Sequence, residues 1–251
     1  MTFWRESFIV FRRQLRMNLR NPAWVIIGML QPVLYLLLFG PLLTPLVEKL
    51  GAVNAYTFLV PGLLVQLGIF GAYFAGFSLI GEWREGVIEA ERVTPAGRTA
   101  LLVGRLGRDL LQLLIQAVIL VGLGLIMGME ASRTGILLGV LLTLGVGGAC
   151  AASSNTLALT TKSEDVMAPV INMVMMPVLL LSGILLPMTI GPTWLARASD
   201  FMPFRHIVDA VRNAFGGNLT ASGLAWGSIW TVVLLTLAVW WGTTTFRREN
   251  T

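Results

Sequence analysis

Reactive side chains are scarce in these 251 residues, which hold one cysteine, one histidine and two lysines. A single Cys150 closes no intrachain disulfide, and a lone Cys150 and a lone His206 on separate segments exclude a His/Cys metal cluster. Neither Lys49 nor Lys162 follows a glycine. The Gly-Lys-Ser/Thr end of a phosphate-cradling loop is therefore missing, which argues against ATP hydrolysis within the chain. An intramembrane serine hydrolase would need a serine and a general base at membrane depth. Ser182 is the best-placed serine, but His206 falls in a polar segment and reads as an interface residue without a catalytic task. Cys150, in GVGGACAASS, reads as a packed thiol. Charge of either sign is also thin, at 12% of residues, with a net of +5. In a soluble protein that excess would point to nucleic acid. Here 55% of residues are hydrophobic and the mean hydropathy is +0.77, so the excess is first a matter of membrane topology and no nucleic-acid partner is expected.

What is present is long apolar runs. Residues 24–43, 57–80, 110–127, 135–159, 167–186 and 224–241 each suffice to cross a hydrocarbon core, which needs about 20 helical residues. The sequence predicts an all-α integral membrane protein with six transmembrane helices. Six crossings put both ends on one side. That side carries 13 of the 18 Arg and Lys residues, so both termini are expected in the cytoplasm. Over residues 1–22, Trp4, Phe8, Phe11, Leu15 and Leu19 fall at helical spacing on one side while Arg5, Arg12, Arg16 and Arg20 share another, the pattern of a helix lying in the headgroup layer. This start has no short apolar core with a small-residue cleavage site and does not read as a signal peptide, so it is expected to be kept. Gly124 and Gly128, and Gly135 and Gly139, have the small-xxx-small spacing of close helix contacts, either within the chain or at a dimer seam.

Ionisable residues avoid the span centres. Asp109, at the entrance to the third span, is expected to pair with Arg105 or Arg108, and Gln31, Gln66, Gln112, Gln116 and Asn172 are expected to hold helices together or line a pathway. The exception to the scarcity of charge is GEWREGVIEAERVTPAGRTALLVGR, residues 81–105, with four glutamates and four arginines. Glu82, Glu85, Glu89 and Arg92 fall on one helical face; Trp83, Val87 and Ala90 fall on another. Thr94 with Pro95 reads as a cap and first turn of a new helix leading through Arg98. A plain connection needs only about 2 to 8 residues, so this longer amphipathic segment reads as a surface for a partner.

This stretch resembles the cytoplasmic loop of the ABC transporter type-2 permeases, on Glu82, Glu85, Gly86, Glu89, Thr94, Pro95, Arg98, Gly104 and Arg105. A second similarity lies in LLPMTIGPTWLARASDFMPFRHIVDAVRNAF, on Pro187, Pro192, Leu195, Pro203, Val208, Asp209 and Arg212. The pattern is most similar to the drug-resistance subgroup that includes daunorubicin exporters. The resemblance implies one permease domain over 1–251. Residues 82–105 would form a cytoplasmic coupling helix between spans 2 and 3 that docks a separate ABC ATPase through Glu82, Trp83, Glu85, Gly86, Glu89, Thr94, Pro95 and Arg98. Residues 187–222 would form extracellular re-entrant helices carrying Pro187, Pro203, Asp209 and Arg212. It further implies a homodimer, or a pair with a similar permease, bound to two ATPase copies that supply ATP and Mg. The chain itself is expected to need no cofactor. The expected setting is a bacterial cell membrane and the expected task is export of a lipophilic drug-like or lipid-like compound. A lipid-linked glycan exporter of the same architecture, or a non-transporting membrane scaffold, are the alternatives.

Overall fold

In the computed structural model, residues 3–20, 23–49, 54–87, 97–186, 188, 191–220 and 222–248 are described. Among them there is helix and no strand. The order is α1 (Phe3–Arg20), α2 (Ala23–Lys49), α3 (Ala55–Tyr73), α4 (Ala75–Arg84), α5 (Arg98–Ile126), α6 (Arg133–Thr161), α7 (Glu164–Leu181), α8 (Thr193–Asp200), α9 (Pro203–Phe215) and α10 (Ser222–Arg248). Among the described residues, six segments are long and apolar enough to span a membrane, α3 and α4 together making one of them.

Most helices outrun the predicted spans, whereas α7, expected to reach residue 186, ends at Leu181. Sequence reading ends a span where charge begins, whereas a helix continues as long as its backbone bonds and its polar side chains find partners. The largest difference concerns the third span, expected at 110–127, whose helix α5 begins at Arg98. Likewise α4 runs on through Glu82, Trp83 and Arg84. The predicted 82–105 connection is thus shortened from both ends, by Glu82–Arg84 and from Arg98 onward.

The bundle is built around α3–α4 and α6, 67% and 61% buried, while the other spans are only 17 to 33% buried. From Leu59 to Ile69 every residue of α3 is buried, which a helix apolar on all sides can tolerate. Small residues set the approach distances of α6. A Cβ on Gly135 would run into the Ala214 carbonyl oxygen, and one on Gly139 into the Phe215 ring. This glycine pair therefore seats α9 within the chain. Gly104 does the same for α1, since a Cβ there would lie 2.8 Å from Val10 Cβ and 3.0 Å from the Ser7 carbonyl oxygen. With α1 so placed, Trp4 and Phe8 are exposed, while Ser7, Val10 and Gln14 are buried. Phe11 keeps ring contact with Phe8, centroids 6.4 Å apart, and its ring also lies 3.2 Å from where a Cβ on Gly107 would stand.

Span 2 is interrupted at Phe74, and the cause is a side chain from α6. Ser154 Oγ donates to the Tyr73 carbonyl oxygen at 2.5 Å and accepts from the Gly76 N–H at 3.1 Å. A hydroxyl inserted in this way breaks the i→i−4 ladder and satisfies both ends of the break. Gly76 permits it, because a Cβ there would stand 2.6 Å from both Ser154 O and Oγ.

Candidate functional site: a buried charge cluster beside an exposed turn

Two residues before α4 ends, Glu82 points inward. Its carboxylate accepts from Arg105 Nη2 at 2.8 Å and from Gln14 Nε2 at 2.9 Å. Arg108 Nη1 stands 3.8 Å from the same carboxylate and donates to Gln14 Oε1 at 2.9 Å. The remaining donors of Arg108 are directed to Ser78 Oγ at 3.1 Å and, through Nε, to Asp109 Oδ1 at 2.9 Å. The cluster ties α1, α4 and α5 together, and Glu82, Arg105, Arg108 and Gln14 are all buried. Two acids and two arginines cancel in formal charge, which is the condition for ionic groups to be held at this depth. Removing one member of such a set costs roughly 3 to 5 kcal/mol.

The expectation that Glu82 shares a partner-facing surface with Glu85 and Glu89 is thereby corrected for Glu82. Two arginines and an amide occupy its carboxylate inside the fold, so it positions helices rather than presenting charge. Asp109 pairs with Arg108, as expected, with Nη2 to Oδ1 at 2.7 Å. Sequence reading missed Gln14 and Ser78. The signal for Gln14 was present, since Ser7 and Gln14 stand two helical turns apart on the side of α1 that also bears Val10.

Around this cluster the surface changes character. Trp83 is half-buried, and Arg84 pairs with Glu164 at the start of α7 at 3.1 Å with both side chains largely solvated. Glu85 is exposed and its N–H returns to the Gly81 carbonyl at 3.1 Å. Gly86 follows at φ +73, and a Cβ there would meet nothing within 4 Å. This is the left-handed region that favours glycine, so the chain turns sharply out of α4. Across the gap, Glu6 Oε2 accepts from the Gly97 N–H at 2.8 Å, fixing the entry to α5 on α1. Arg98 is the first residue of α5. Glu89, Ala90, Arg92, Thr94 and Pro95 lie outside the described residues.

At the opposite end of the bundle, Pro203 opens α9 at its first turn, where its missing N–H costs nothing. Arg212 on that helix lies over the Phe58 ring at 3.9 Å and donates through Nη2 to the Gly183 and Ile184 carbonyls at 2.8 and 3.0 Å. One guanidinium thereby joins α9, the start of α3 and the end of α7. Burial pulls Arg212 down from its ordinary value to about 10, Asp209 acting the other way, so it stays charged at neutral pH. Asp209 is partly exposed, 3.9 Å from Arg212 and 3.7 Å from Arg205. Pro187 lies outside the described residues. His206 Nε2 pairs with the Asp200 carbonyl at 2.9 Å and its ring stacks on Trp230, while Ser182 Oγ donates to the Leu179 carbonyl. Each has a structural partner of its own.

Residues 5–215 match the model of the ABC-2 type transporter family. The chain is similar to the transport permease ycf38 of Porphyra purpurea, 27% identical over 219 residues that cover 84% of this chain and 75% of that one. The ycf38 permease of Cyanophora paradoxa is 26% identical over 218 residues, covering 84% and 74%. The multidrug ABC transporter permease YbhR of Escherichia coli (strain K12) is 24% identical over 181 residues, covering 71% of this chain and 49% of YbhR.

Proposed function

Since the chain belongs to the ABC-2 type transporter family and is a multi-pass membrane permease, we propose that it is the cargo-moving subunit of an exporter driven by a separate ABC ATPase. Two copies of the chain, or one with a similar permease, engage two ATPase subunits, which bind ATP and Mg. Docking falls on residues 85–97 and their flanks, through Trp83, Glu85, Gly86, Glu89, Thr94, Pro95 and Arg98. Glu82 acts behind that surface as a positioning residue. The observation that carries this reading is the adjacency of an exposed turn at Glu85–Gly86 to a buried charge cluster that grips three helices at once. A push at the turn is delivered through ion pairs to α1, α4 and α5 as a unit, converting motion outside the bilayer into movement of spans.

Both termini and the turn face the cytoplasm of a bacterial cell, and α8 and α9 lie toward the outer face, where they dip back into the bilayer. The cargo is a lipophilic compound. The name of the Escherichia coli relative and the scarcity of charge facing the interior support that choice over a glycan.

Reconstitution tests the reading. Purified permease in proteoliposomes is expected to bind an ABC ATPase and to stimulate its ATP hydrolysis; an inert pair would favour a scaffold. Orientation is read separately with Glu85→Cys in intact cells, where the buried Cys150 gives little background. A membrane-impermeant maleimide should leave that cysteine unlabelled, and labelling from outside would overturn the topology.

A further inference from the structure

Beside the charge cluster lies a cleft of about 510 Å³, walled by α3, α4, α5 and α6 with Glu164 of α7 at its rim. That volume falls within the range of small-molecule sites, about 300 to 1,000 Å³. Its polarity is graded along α5. Arg108, Gln112 and Gln116 recur at four-residue spacing on one face, so the wall passes from charge to amide over about 12 Å of helix. Facing them across the break in span 2 are Phe74 and Phe77, a tilted ring pair with centroids 5.9 Å apart. A charged mouth, an amide-lined middle and an aromatic side have the shape of an amphiphile.

The head group follows from one unsatisfied atom in the wall. The wall's charges are otherwise matched, Arg108 with Asp109 and Glu164 with Arg84. Arg108 directs its donors to Asp109 Oδ1, Gln14 and Ser78. Asp109 Oδ2 is buried and has no hydrogen-bond partner among the described residues. A carboxylate with one oxygen on an arginine and the other unpaired is an acceptor lacking a donor. Aromatic faces beside it favour a cation further.

We propose that this cleft binds an amphiphile bearing a protonated amine, with the ammonium at Asp109 and the apolar body against Phe74 and Phe77. This rests on reading the chain as the cargo-moving subunit, and it names the cargo's chemistry. Free amines and the amine head group of a lipid share that chemistry.

The test uses the full chain in phosphatidylcholine nanodiscs without any ATPase, so its outcome is independent of docking. Quinacrine, a fluorescent amphiphilic amine, is expected to bind saturably and to be displaced by dodecylamine. Tetraphenylphosphonium, a lipophilic cation with no N–H, should not displace it. Gly71→Leu fills the cleft, because a Cβ there has only Gln116 Oε1 nearby, at 3.9 Å. It should weaken quinacrine binding by at least about tenfold, the equivalent of one charge-assisted hydrogen bond with its contacts, while leaving the circular-dichroism melting curve in place. Asp109→Asn should weaken it similarly. Phosphatidylethanolamine added to the discs separates the sources: competition identifies the lipid amine as an occupant, and unchanged binding identifies a free amine. Equal binding by wild type and a folded Gly71→Leu, or equal displacement by the phosphonium, would overturn the proposal.

Discussion

Glu82→Ala removes the acid that two arginines share, and its cost follows from what is left behind. In the intact cluster Glu82 and Asp109 balance Arg105 and Arg108, with the Glu82–Arg105 contact at 2.8 Å and both side chains less than a tenth exposed. Without Glu82, Arg105 loses its carboxylate while still buried, and Gln14 Nε2 loses its acceptor. An uncompensated buried charge of this kind costs about 3 to 5 kcal/mol. The double variant Glu82→Leu/Arg105→Met removes one charge of each sign and leaves Arg108 with Asp109, so it should cost less than the single change, a coupling of at least about 2 kcal/mol. Unfolding in mixed micelles by titration with sodium dodecyl sulfate, followed by tryptophan fluorescence, measures both. A loss below about 1 kcal/mol for Glu82→Ala, or a double variant whose cost is the sum of its parts, would refute the claim that the cluster is one interlocked unit.

Glu85→Arg, on the exposed side of the same turn, is expected to abolish co-purification with the ATPase while leaving membrane insertion and melting unchanged. Gly135→Ala should destabilise by about 3 kcal/mol or more, because its Cβ meets backbone at Ala214 that cannot rotate away. Gly81→Ala, with nothing within 4 Å, should stabilise α4 by up to about 1 kcal/mol, and thermal melting in detergent compares the two. Arg212→Met strands the carbonyls of Gly183 and Ile184 and should cost about 2 to 3 kcal/mol, read as faster proteolysis between α7 and α8. With a folded value of about 10, below the unfolded one, Arg212 makes stability rise with pH only above about 10, so the cost should be level from about pH 6 to 8.5.

The spans were legible because apolar runs of their length have few other solutions. The helix ends were not, since a sequence shows where charge begins but not whether it is neutralised. Arg105 and Arg108 looked like loop residues until Glu82 and Gln14 were seen to hold them inside α5's packing. Glu82 misled for the same reason: helical periodicity places a residue on a face, and which face is covered depends on α1, a segment some seventy residues earlier. The Arg108–Asp109 pair could be read, being local. The interruption at Phe74 could not, because neither partner of Ser154 carries a sequence signal for it. Gly135 and Gly139 were read as a close contact, but only packing against Ala214 and Phe215 decides between an internal seam and a dimer.

The cancellation of formal charge among Glu82, Arg105, Arg108 and Asp109 has an electrical consequence. A single charge carried across a 100 mV field does about 2.3 kcal/mol of work. A group that travels as a whole with zero net valence does almost none. The step that moves it without cargo should therefore run at the same rate in energised and depolarised vesicles.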